Sequence, residues 1–350
     1  MGAIDADAHV VECPATFDYI DDEFSQHRPR IVTDTSDESK LSPNNAGGVQ
    51  RQYWMLDGRL QQKDFNAGQE MSRENREMED IGARLKHMDA LDVDLQVLYP
   101  TLFLRPWTQD AEVEYAICKS YNRWLAEIWK QARGRLRWVV MAPLMTMDKT
   151  IEELEFAKAN GACGIFMRGI ECERRLSNPY FFRLYEVASM LDLPICCHAG
   201  NGSFAIWSVY GDETGIGRNK CSVIAAFHSL LREDIPAKFP ALRWGFIEVS
   251  AMWVPYVLND FMLRLRRKGI EMSDTMLADN NFFVACQSTD DLDYILPYAG
   301  EGQLVVGTDY GHADNSSDIE AMRKLREDGK LPPEVVDRIL SDNARVLYGL

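Results

Sequence analysis

Asp5, Asp7 and His9 alternate with small apolar residues in the run I-D-A-D-A-H-V-V-E, residues 4–12. In an extended strand successive side chains point to opposite faces, so these three polar side chains share one face. Burying two carboxylates and an imidazole without partners is unfavourable, and such a face is therefore either wet or binds something. Carboxylate oxygens and imidazole nitrogens are the ligand types that suit a divalent ion such as Zn²⁺ or Mn²⁺.

Residues of the same chemistry stand where other apolar runs end. His198 ends L-P-I-C-C-H, Glu248 ends W-G-F-I-E, and Asp309 follows L-V-V-G-T. Taken singly, a strand-end His is usually a hydrogen-bonded core residue, and an Asp in this position usually caps a helix or forms a turn. The joint placement of these residues at several strand ends is what predicts a metal site.

Eight short β-rich runs alternate with amphipathic segments along most of the chain, which predicts a parallel sheet covered on both faces. Eight such units favour an α/β fold of the (β/α)8 TIM-barrel type over an open sheet. Chemistry in these barrels lies at the C-terminal ends of the strands, where the residues above would meet. Strands are expected over 4–12, 94–100, 135–144, 162–169, 193–200, 243–250, 281–287 and 303–312, and helices over 110–133, 148–160, 179–192, 218–234, 252–268 and 318–328.

Residues 13–80 interrupt this alternation and predict a long insertion after the first strand, within a single domain spanning 1–350. The segment 34–48 is polar and loop-like. The run 52–62 predicts a short hairpin, because Asp57-Gly58 suits a type I′ turn. We expect the insertion to lie over the barrel mouth or at a subunit contact.

Bulk composition excludes some classes of partner. The formal charge of −16 over 350 residues argues against nucleic acids and anionic membranes as partners. No apolar run approaches the roughly 20 residues that span a bilayer, and residues 1–7 lack the features of a secretory signal. The eight cysteines form no C-x-x-C pair, which favours buried, reduced thiols in a cytoplasmic protein. We expect its partner to be a small-molecule substrate.

Several stretches of the chain resemble the amidohydrolase superfamily, specifically the amidohydrolase-2 group that includes the aminocarboxymuconate-semialdehyde decarboxylase-like enzymes. The resemblance is carried by D-A-D-A-H-V-V-E, H-M-D-A-L-D-V-D-L-Q-V-L-Y-P, N-P-Y-F-F-R-L-Y-E-V-A-S-M-L-D-L-P-I-C-C-H, F-P-A-L-R-W-G-F-I-E-V-S-A-M-W-V-P, G-T-D-Y-G-H-A-D and N-A-R-V-L-Y-G-L. It covers nearly the whole chain and implies a (β/α)8 barrel with one catalytic divalent ion at its mouth.

The resemblance also implies a ligand set. The family's paired strand-one ligands fall on Asp7 and His9, its strand-five His on His198, and its strand-eight Asp on Asp309, which would bind the ion and shuttle a proton. Two positions depart from the family pattern: Asp7 replaces a His, and Glu248 stands where strand six usually ends in His. Glu248 is expected to act as a ligand, as a general base or as an orienter of water on the ion. The fourth strand ends in F-M-R-G without Lys, which favours a single ion, Zn or Mn.

Secondary candidates surround the predicted site. Arg168 could clamp a substrate carboxylate, since its guanidinium offers a bidentate fork, or it could pair with Glu171. His312 and Asp314, on the loop after the last strand, could touch substrate or form a loop hydrogen-bond pair. Three further side chains could wall the substrate pocket: Tyr99, Arg105 and Trp253.

Three functions follow in order of preference. The first is hydrolysis of an amide, lactone or related carbonyl compound, with Asp309, Glu248 and His198 as the catalytic residues. The alternative is non-oxidative decarboxylation of an aromatic or unsaturated carboxylic acid on the same site, since the fold cannot distinguish the two. The third is a non-catalytic scaffold with a vestigial site. Relatives of this kind are often dimers, and we expect a homodimer.

Overall fold

The computed structural model describes residues 2–35, 51–63, 67, 71–211 and 215–350, and its central feature is a parallel eight-stranded sheet that curls into a barrel. The barrel strands follow the order β1-β5-β6-β7-β10-β11-β12-β13. The strands are β1 Ala3–His9, β2 Arg30–Thr33, β3 Gln52–Leu56, β4 Arg59–Gln62, β5 Val93–Tyr99, β6 Leu136–Met141, β7 Ala162–Arg168, β8 Ile170–Glu171, β9 Arg174–Arg175, β10 Ile195–His198, β11 Trp244–Ile247, β12 Phe282–Cys286 and β13 Leu304–Val306.

The barrel closes between its first and last strands. The His9 N–H donates to the Tyr310 carbonyl at 2.7 Å, and the Asp309 N–H donates to the Asp7 carbonyl at 2.9 Å. The two segments approach closely because residue 307 is glycine: a Cβ there would lie 2.2 Å from the Asp7 Cβ. The predicted α/β TIM barrel is confirmed.

Helices cover the outside of the barrel between its strands. The six predicted helices are all present, with ends one to three residues inside the predicted limits, except that the second begins one residue before its predicted start. None of the described helices is both long and apolar enough to cross a membrane. The helices are α1 Arg73–Arg76, α2 Ile81–Ala90, α3 Ala111–Gln131, α4 Met147–Ala159, α5 Phe182–Met190, α6 Phe204–Val209, α7 Cys221–Arg232, α8 Ile235–Lys238, α9 Val254–Arg266, α10 Met276–Asp279, α11 Leu292–Ala299, α12 Ala321–Glu327, α13 Pro333–Asp337 and α14 Asn343–Tyr348.

The insertion forms a small antiparallel sheet, β2-β3-β4, that reaches the barrel mouth. Asp57 and Gly58 join β3 to β4 with φ values of 46° and 68°, as the predicted type I′ turn requires. The Asp57 carboxylate accepts a hydrogen bond from Thr108 Oγ1 at 2.8 Å, and Ala67 pairs with His312. These contacts support the first of the two expected positions, over the mouth. Most of the loop-like segment 34–48 lies outside the described residues.

All eight cysteines are free thiols, in agreement with the sequence. Six are buried and Cys172 is half-buried. Cys221 is exposed, so the prediction of buried thiols is wrong at this position. The reason is its place as the first residue of α7, where the following residues Ser222 and Val223 turn into the core instead.

Candidate metal centre

The end of β1 directs Asp7 and His9 into the barrel mouth, where both side chains are buried. His9 Nδ1 lies 2.9 Å from the Pro100 carbonyl oxygen. A carbonyl can only accept, so this nitrogen carries the hydrogen and the Nε2 lone pair is left for another partner. His9 Nε2 lies 3.5 Å from Asp7 Oδ1.

His198 enters the same centre from the end of β10. Its Nδ1 lies 2.8 Å from the Ala199 carbonyl oxygen, which again leaves the Nε2 lone pair facing the centre. His198 Nε2 lies 3.2 Å from Asp7 Oδ1 and 3.2 Å from Glu248 Oε2. Two imidazoles of the same tautomer thus meet two carboxylates.

Glu248 and Asp309 reach the centre through left-handed backbone, with φ values of 61° and 53°. Non-glycine residues adopt this conformation at a cost of about 1–3 kcal/mol, and such residues concentrate at functional sites. Asp309 Oδ1 lies 3.3 Å from His9 Nε2 and 2.8 Å from His312 Nδ1. Asp309 Oδ2 accepts a hydrogen bond from Ser317 Oγ at 2.6 Å, which fixes the carboxylate plane.

The donor atoms form two overlapping compact sets, in each of which they lie within 4.8 Å of one another. The first set is Asp7, His9, His198 and Glu248, and the second is His9, Glu248, Asp309 and His312. The four predicted ligands do not form one of these sets, because the left-handed bend and the contact with His312 draw Asp309 to one side. Glu248 completes the centre in both.

The first set fits a divalent ion. A tetrahedral ion with bonds of about 2.1 Å separates its ligands by about 3.4 Å. The observed separations of Asp7 Oδ1 and Glu248 Oε2 from the two imidazole Nε2 atoms are 3.2, 3.2, 3.5 and 3.9 Å. Among the described residues, the buried atoms His9 Nε2 and Glu248 Oε2 make no hydrogen bond. Buried polar atoms without partners are unfavourable unless something binds them.

Electrostatics at the centre favour a neutral His9 imidazole and oppose the ionisation of Glu248. Burial, with the nearby His312, lowers the pKa of His9 to about 4 despite the acids beside it. Burial opposes ionisation of Asp7, but His198 and His9 outweigh it and hold the pKa of Asp7 below its usual value. Burial raises the pKa of Glu248 well above the ordinary value, and repulsion from Asp309 adds to the shift.

His312 lies against this centre. Its ring stacks on the His9 ring with centroids 3.9 Å apart, and its Nε2 lies 2.9 Å from Thr101 Oγ1. Burial disfavours the charged imidazolium, but the facing Asp309 carboxylate outweighs it and raises the pKa of His312. Thr101 was not identified from the sequence, because a threonine after a predicted strand has no distinguishing pattern.

A small cavity of about 40 Å³ adjoins the centre. Four of its lining residues were candidates from the sequence, whereas Trp207 and Asn219 were missed because their contribution depends on how the loops after β10 fold. The lining residues are Thr101, Leu104, Arg105, Ala199, Trp207, Asn219, Glu248, His312 and Asp314.

Arg168 lies beside this cavity but is engaged by protein groups. Its Nε and Nη2 atoms donate to the Glu171 carboxylate at 2.8 and 2.6 Å. Its Nη1 donates to the carbonyl oxygens of Phe103 and Arg105 at 3.1 and 2.7 Å. The structure therefore favours the ion-pair interpretation of Arg168 over a substrate clamp.

Tyr99 and Trp253 are placed away from the cavity wall. The Tyr99 ring packs 4.9 Å from the His198 ring, and its hydroxyl lies 2.8 Å from that of Tyr348 inside the barrel. The Trp253 indole donates to the Ser250 carbonyl at 2.7 Å and packs on Phe227. For both residues the structure favours packing over the expected contact with substrate.

The family model for amidohydrolases of the amidohydrolase-2 group matches residues 4–350. A barrel of this kind with His and carboxylate donors at its mouth defines the class, and the chain belongs to the amidohydrolase-2 family, as the sequence predicted. Members of this family and structures similar to the chain are metal-dependent enzymes, either hydrolases or decarboxylases. No curated protein matches the chain.

Three solved structures illustrate the likeness. Amidohydrolase map2389c from Mycobacterium avium subsp. paratuberculosis K-10 has a TM-score of 0.79 and 17% identity, covering 100% of this chain and 98% of that one. 5-Carboxyvanillate decarboxylase from Novosphingobium aromaticivorans, complexed with manganese and 4-hydroxy-3-methoxy-5-nitrobenzoic acid, has a TM-score of 0.67 and 16% identity over 79% and 82% of the two chains. 2,6-Dihydroxybenzoate decarboxylase from Rhizobium has a TM-score of 0.62 and 19% identity over 77% and 88%. At these identities the likeness shows a shared fold alone.

Proposed function

We propose that this chain catalyses the non-oxidative, metal-dependent decarboxylation of an aromatic or unsaturated carboxylic acid. The observation that carries the proposal is the third carboxylate at the centre. Asp7 and Glu248 balance the charge of one divalent ion, so Asp309 is left beside the site as a group that can carry a proton. Two of the solved structures described above are decarboxylases, and one of them contains manganese.

Asp7, His9, His198 and Glu248 would hold the ion, with Mn²⁺ or Zn²⁺ as the candidates. When bound, the ion would polarise the substrate carboxylate and orient it. The imidazoles of His9 and His198 each have only Nε2 available for the ion, because Nδ1 is hydrogen-bonded to a carbonyl oxygen. His9 belongs to both donor sets and can ligate one ion, so we propose a single ion at this centre.

The Asp309–His312 pair would move the proton. The bond between the substrate carbon and its carboxylate breaks, the electron pair stays on that carbon, and the carbon takes a proton from the pair. CO₂ leaves, and solvent returns the proton, so one carboxylate and one proton give one neutral product and CO₂. Of the two roles that the resemblance implies for Asp309, ligand and proton carrier, the proposal keeps the second.

The test is CO₂ release from a panel of hydroxybenzoates, with Asp309→Asn as the variant. We expect the wild-type protein to release CO₂ and Asp309→Asn to lose at least about 100-fold in rate while keeping its metal. Asp260→Asn, at a half-buried acid on α9, is the matched control and should match the wild type. Equal rates for Asp309→Asn and wild type would contradict the role of Asp309.

Hydrolysis of an amide or lactone is the second candidate, favoured by the match to the amidohydrolase family. The same metal-loaded protein tested on a panel of lactones and amides distinguishes the two. Carbonyl hydrolysis without CO₂ release from any acid would replace decarboxylation with hydrolysis.

A further inference from the structure

The two acids that stand on left-handed backbone at the metal centre are held in different ways. Asp309 is fixed through its own side chain, because Oδ2 accepts a hydrogen bond from Ser317 Oγ at 2.6 Å. Glu248 Oε2 lies 3.2 Å from His198 Nε2 and makes no hydrogen bond among the described residues. The position of the Glu248 carboxylate therefore depends on the backbone that carries it.

The backbone after β11 is strained at two positions. Glu248 and Ser250 both adopt left-handed conformations, with φ values of 61° and 60°, on either side of the buried Val249. Each such non-glycine residue costs about 1–3 kcal/mol and persists only where surrounding contacts fix its conformation. The turn 248–251 therefore needs partners outside itself.

Asp290 supplies these partners from the loop after β12, the strand that pairs with β11 in the barrel. Its Oδ1 accepts from Ser250 Oγ at 2.6 Å, and its Oδ2 accepts from the Ala251 N–H at 2.8 Å. Oδ2 also accepts from the Gln287 N–H, on its own loop, at 3.0 Å. The two shorter bonds reach the turn 248–251, so Asp290 does more than close its own loop.

Trp253 holds the same turn from the other side. Its indole N–H donates to the Ser250 carbonyl at 2.7 Å, and its ring packs 4.9 Å from the Phe227 ring on α7. The hydroxyl of Ser250 is thus bound by Asp290 and the carbonyl by Trp253, which fixes both sides of this left-handed residue.

We propose that Asp290 is a positioning residue of the metal centre. It holds the turn 248–251 in its left-handed conformation, so that the Glu248 carboxylate already faces the two imidazoles before an ion binds. The inference rests on the proposed function, since it takes Glu248 to be a ligand of the ion. Ligands that are placed in advance increase affinity, because less ordering has to occur on binding.

Isothermal titration calorimetry of the metal-free protein with Mn²⁺ tests the role of Asp290. We expect Asp290→Ala to bind Mn²⁺ about tenfold more weakly or more, as for other residues that orient metal ligands. Glu248→Gln should also bind more weakly. Asp293→Ala removes the same charge from an exposed position on α11, and this matched control should stay within about twofold of the wild type. A thermal melt of each variant checks folding.

Substitutions of Ser250 separate the effect of strain from the loss of a hydrogen bond, and they keep the test decisive if Asp290→Ala does not fold. Without its bond to Asp290 the turn can relax in the metal-free protein and must be restored when Mn²⁺ binds. Glycine adopts the left-handed conformation readily, whereas alanine does not. We expect Ser250→Gly to bind Mn²⁺ about threefold tighter than Ser250→Ala. Adding Ser250→Gly to Asp290→Ala should restore part of the lost affinity.

The outcomes separate this inference from the proposed reaction. Weak binding by Glu248→Gln, with Asp290→Ala within about twofold of the wild type, would overturn the role of Asp290 alone. Equal affinities of Ser250→Gly and Ser250→Ala would overturn the role of the strained turn. Wild-type affinity in Glu248→Gln would remove the ligand on which the inference depends. Mn²⁺ binding that depends on Asp290, without CO₂ release from any acid, would overturn decarboxylation and support the role of Asp290.

Discussion

The metal centre and the buried network directly beneath it use the same kinds of groups in opposite ways. The buried network comprises Asp5, Arg84, Gln96 and Thr308, all beneath the mouth. The Asp5 carboxylate accepts from the Thr308 N–H and Oγ1 at 2.9 and 2.6 Å and from Gln96 Nε2 at 3.0 Å. Arg84 Nε donates to Gln96 Oε1 at 2.8 Å.

Every side-chain donor or acceptor of the network thus has a partner elsewhere in the chain, whereas His9 Nε2 and Glu248 Oε2 above it have none among the described residues. Arg84 also donates to the carbonyl of His9, which ties the network to the strand end that carries the centre. Asp5 and Asp7 are two residues apart on one strand face. The Asp5 carboxylate accepts hydrogen bonds from protein donors, whereas the Asp7 carboxylate faces side chains that are themselves candidate ligands of the ion. The difference gives Asp5 a structural role and supports the proposal that Asp7 is a ligand of the ion.

Removing an imidazole from the centre should have the largest effect. His198→Ala deletes one of two fixed nitrogen donors, and we expect metal content to fall from about one equivalent to below a tenth, with loss of turnover. Elemental analysis by plasma mass spectrometry measures the metal content. His228→Ala, a half-buried histidine on α7, is the control and should retain its metal. Full metal occupancy in His198→Ala would show that the centre does not bind through this residue.

Breaking the saturated network should instead reduce stability. Arg84→Met leaves the buried acceptors Gln96 Oε1 and the carbonyls of His9 and Asn75 without their donor. We expect the free energy of unfolding to fall by about 3 kcal/mol. Urea denaturation of the metal-free protein measures the change. A loss below about 0.5 kcal/mol would mean that water replaces the guanidinium.

The matched change in the metal centre should raise the free energy of unfolding instead, and by a smaller amount. Glu248→Gln removes a buried carboxyl group whose ionisation is opposed by burial and by the facing Asp309 and Asp7, and we expect the metal-free protein to gain about 1 kcal/mol. The same denaturation experiment compares the two variants. A destabilised Glu248→Gln would place Glu248 with the structural acids and remove the contrast between the two regions.

The sequence predicts the barrel and the first-strand ligands well because both depend on short-range periodicity. A period of two is enough to put Asp7 and His9 on one face, and an apolar run followed by a loop places His198 at a strand end. The grouping of Glu248 and Asp309 was harder to predict from the sequence, since it depends on left-handed backbone at residues that are not glycine.

The cavity wall was the least predictable part of the site. Trp207 lies on the short helix α6 and Asn219 on the π-helical turn Ile216–Lys220, and the sequence of this connection after β10 does not specify which side chains turn inwards. Arg105 was a candidate only by its position after the second barrel strand, and its proximity to Arg218 depends on a π-helical turn that has no sequence pattern. Long-range packing, which no local pattern encodes, decides these contacts.

A buried acid outside both regions extends the comparison to pH. Glu114 on α3 accepts one hydrogen bond, from the Met145 N–H at 2.7 Å. Burial raises its pKa from 4.5 to about 8, whereas burial raises that of Asp5, with donors from Thr308 and Gln96, only to about 6. The number of donors therefore limits how far burial shifts an acid.

The folded protein keeps the Glu114 proton at pH values where the unfolded chain has lost it. This contribution to stability is present at low pH and declines as pH rises from about 4.5 to about 8. Glu114→Gln should flatten that decline by about 1 kcal/mol per pH unit at most. Denaturation of metal-loaded wild type and variant between pH 6.5 and 8 measures the slopes, and parallel slopes would mean that Glu114 is already ionised in the folded protein at neutral pH.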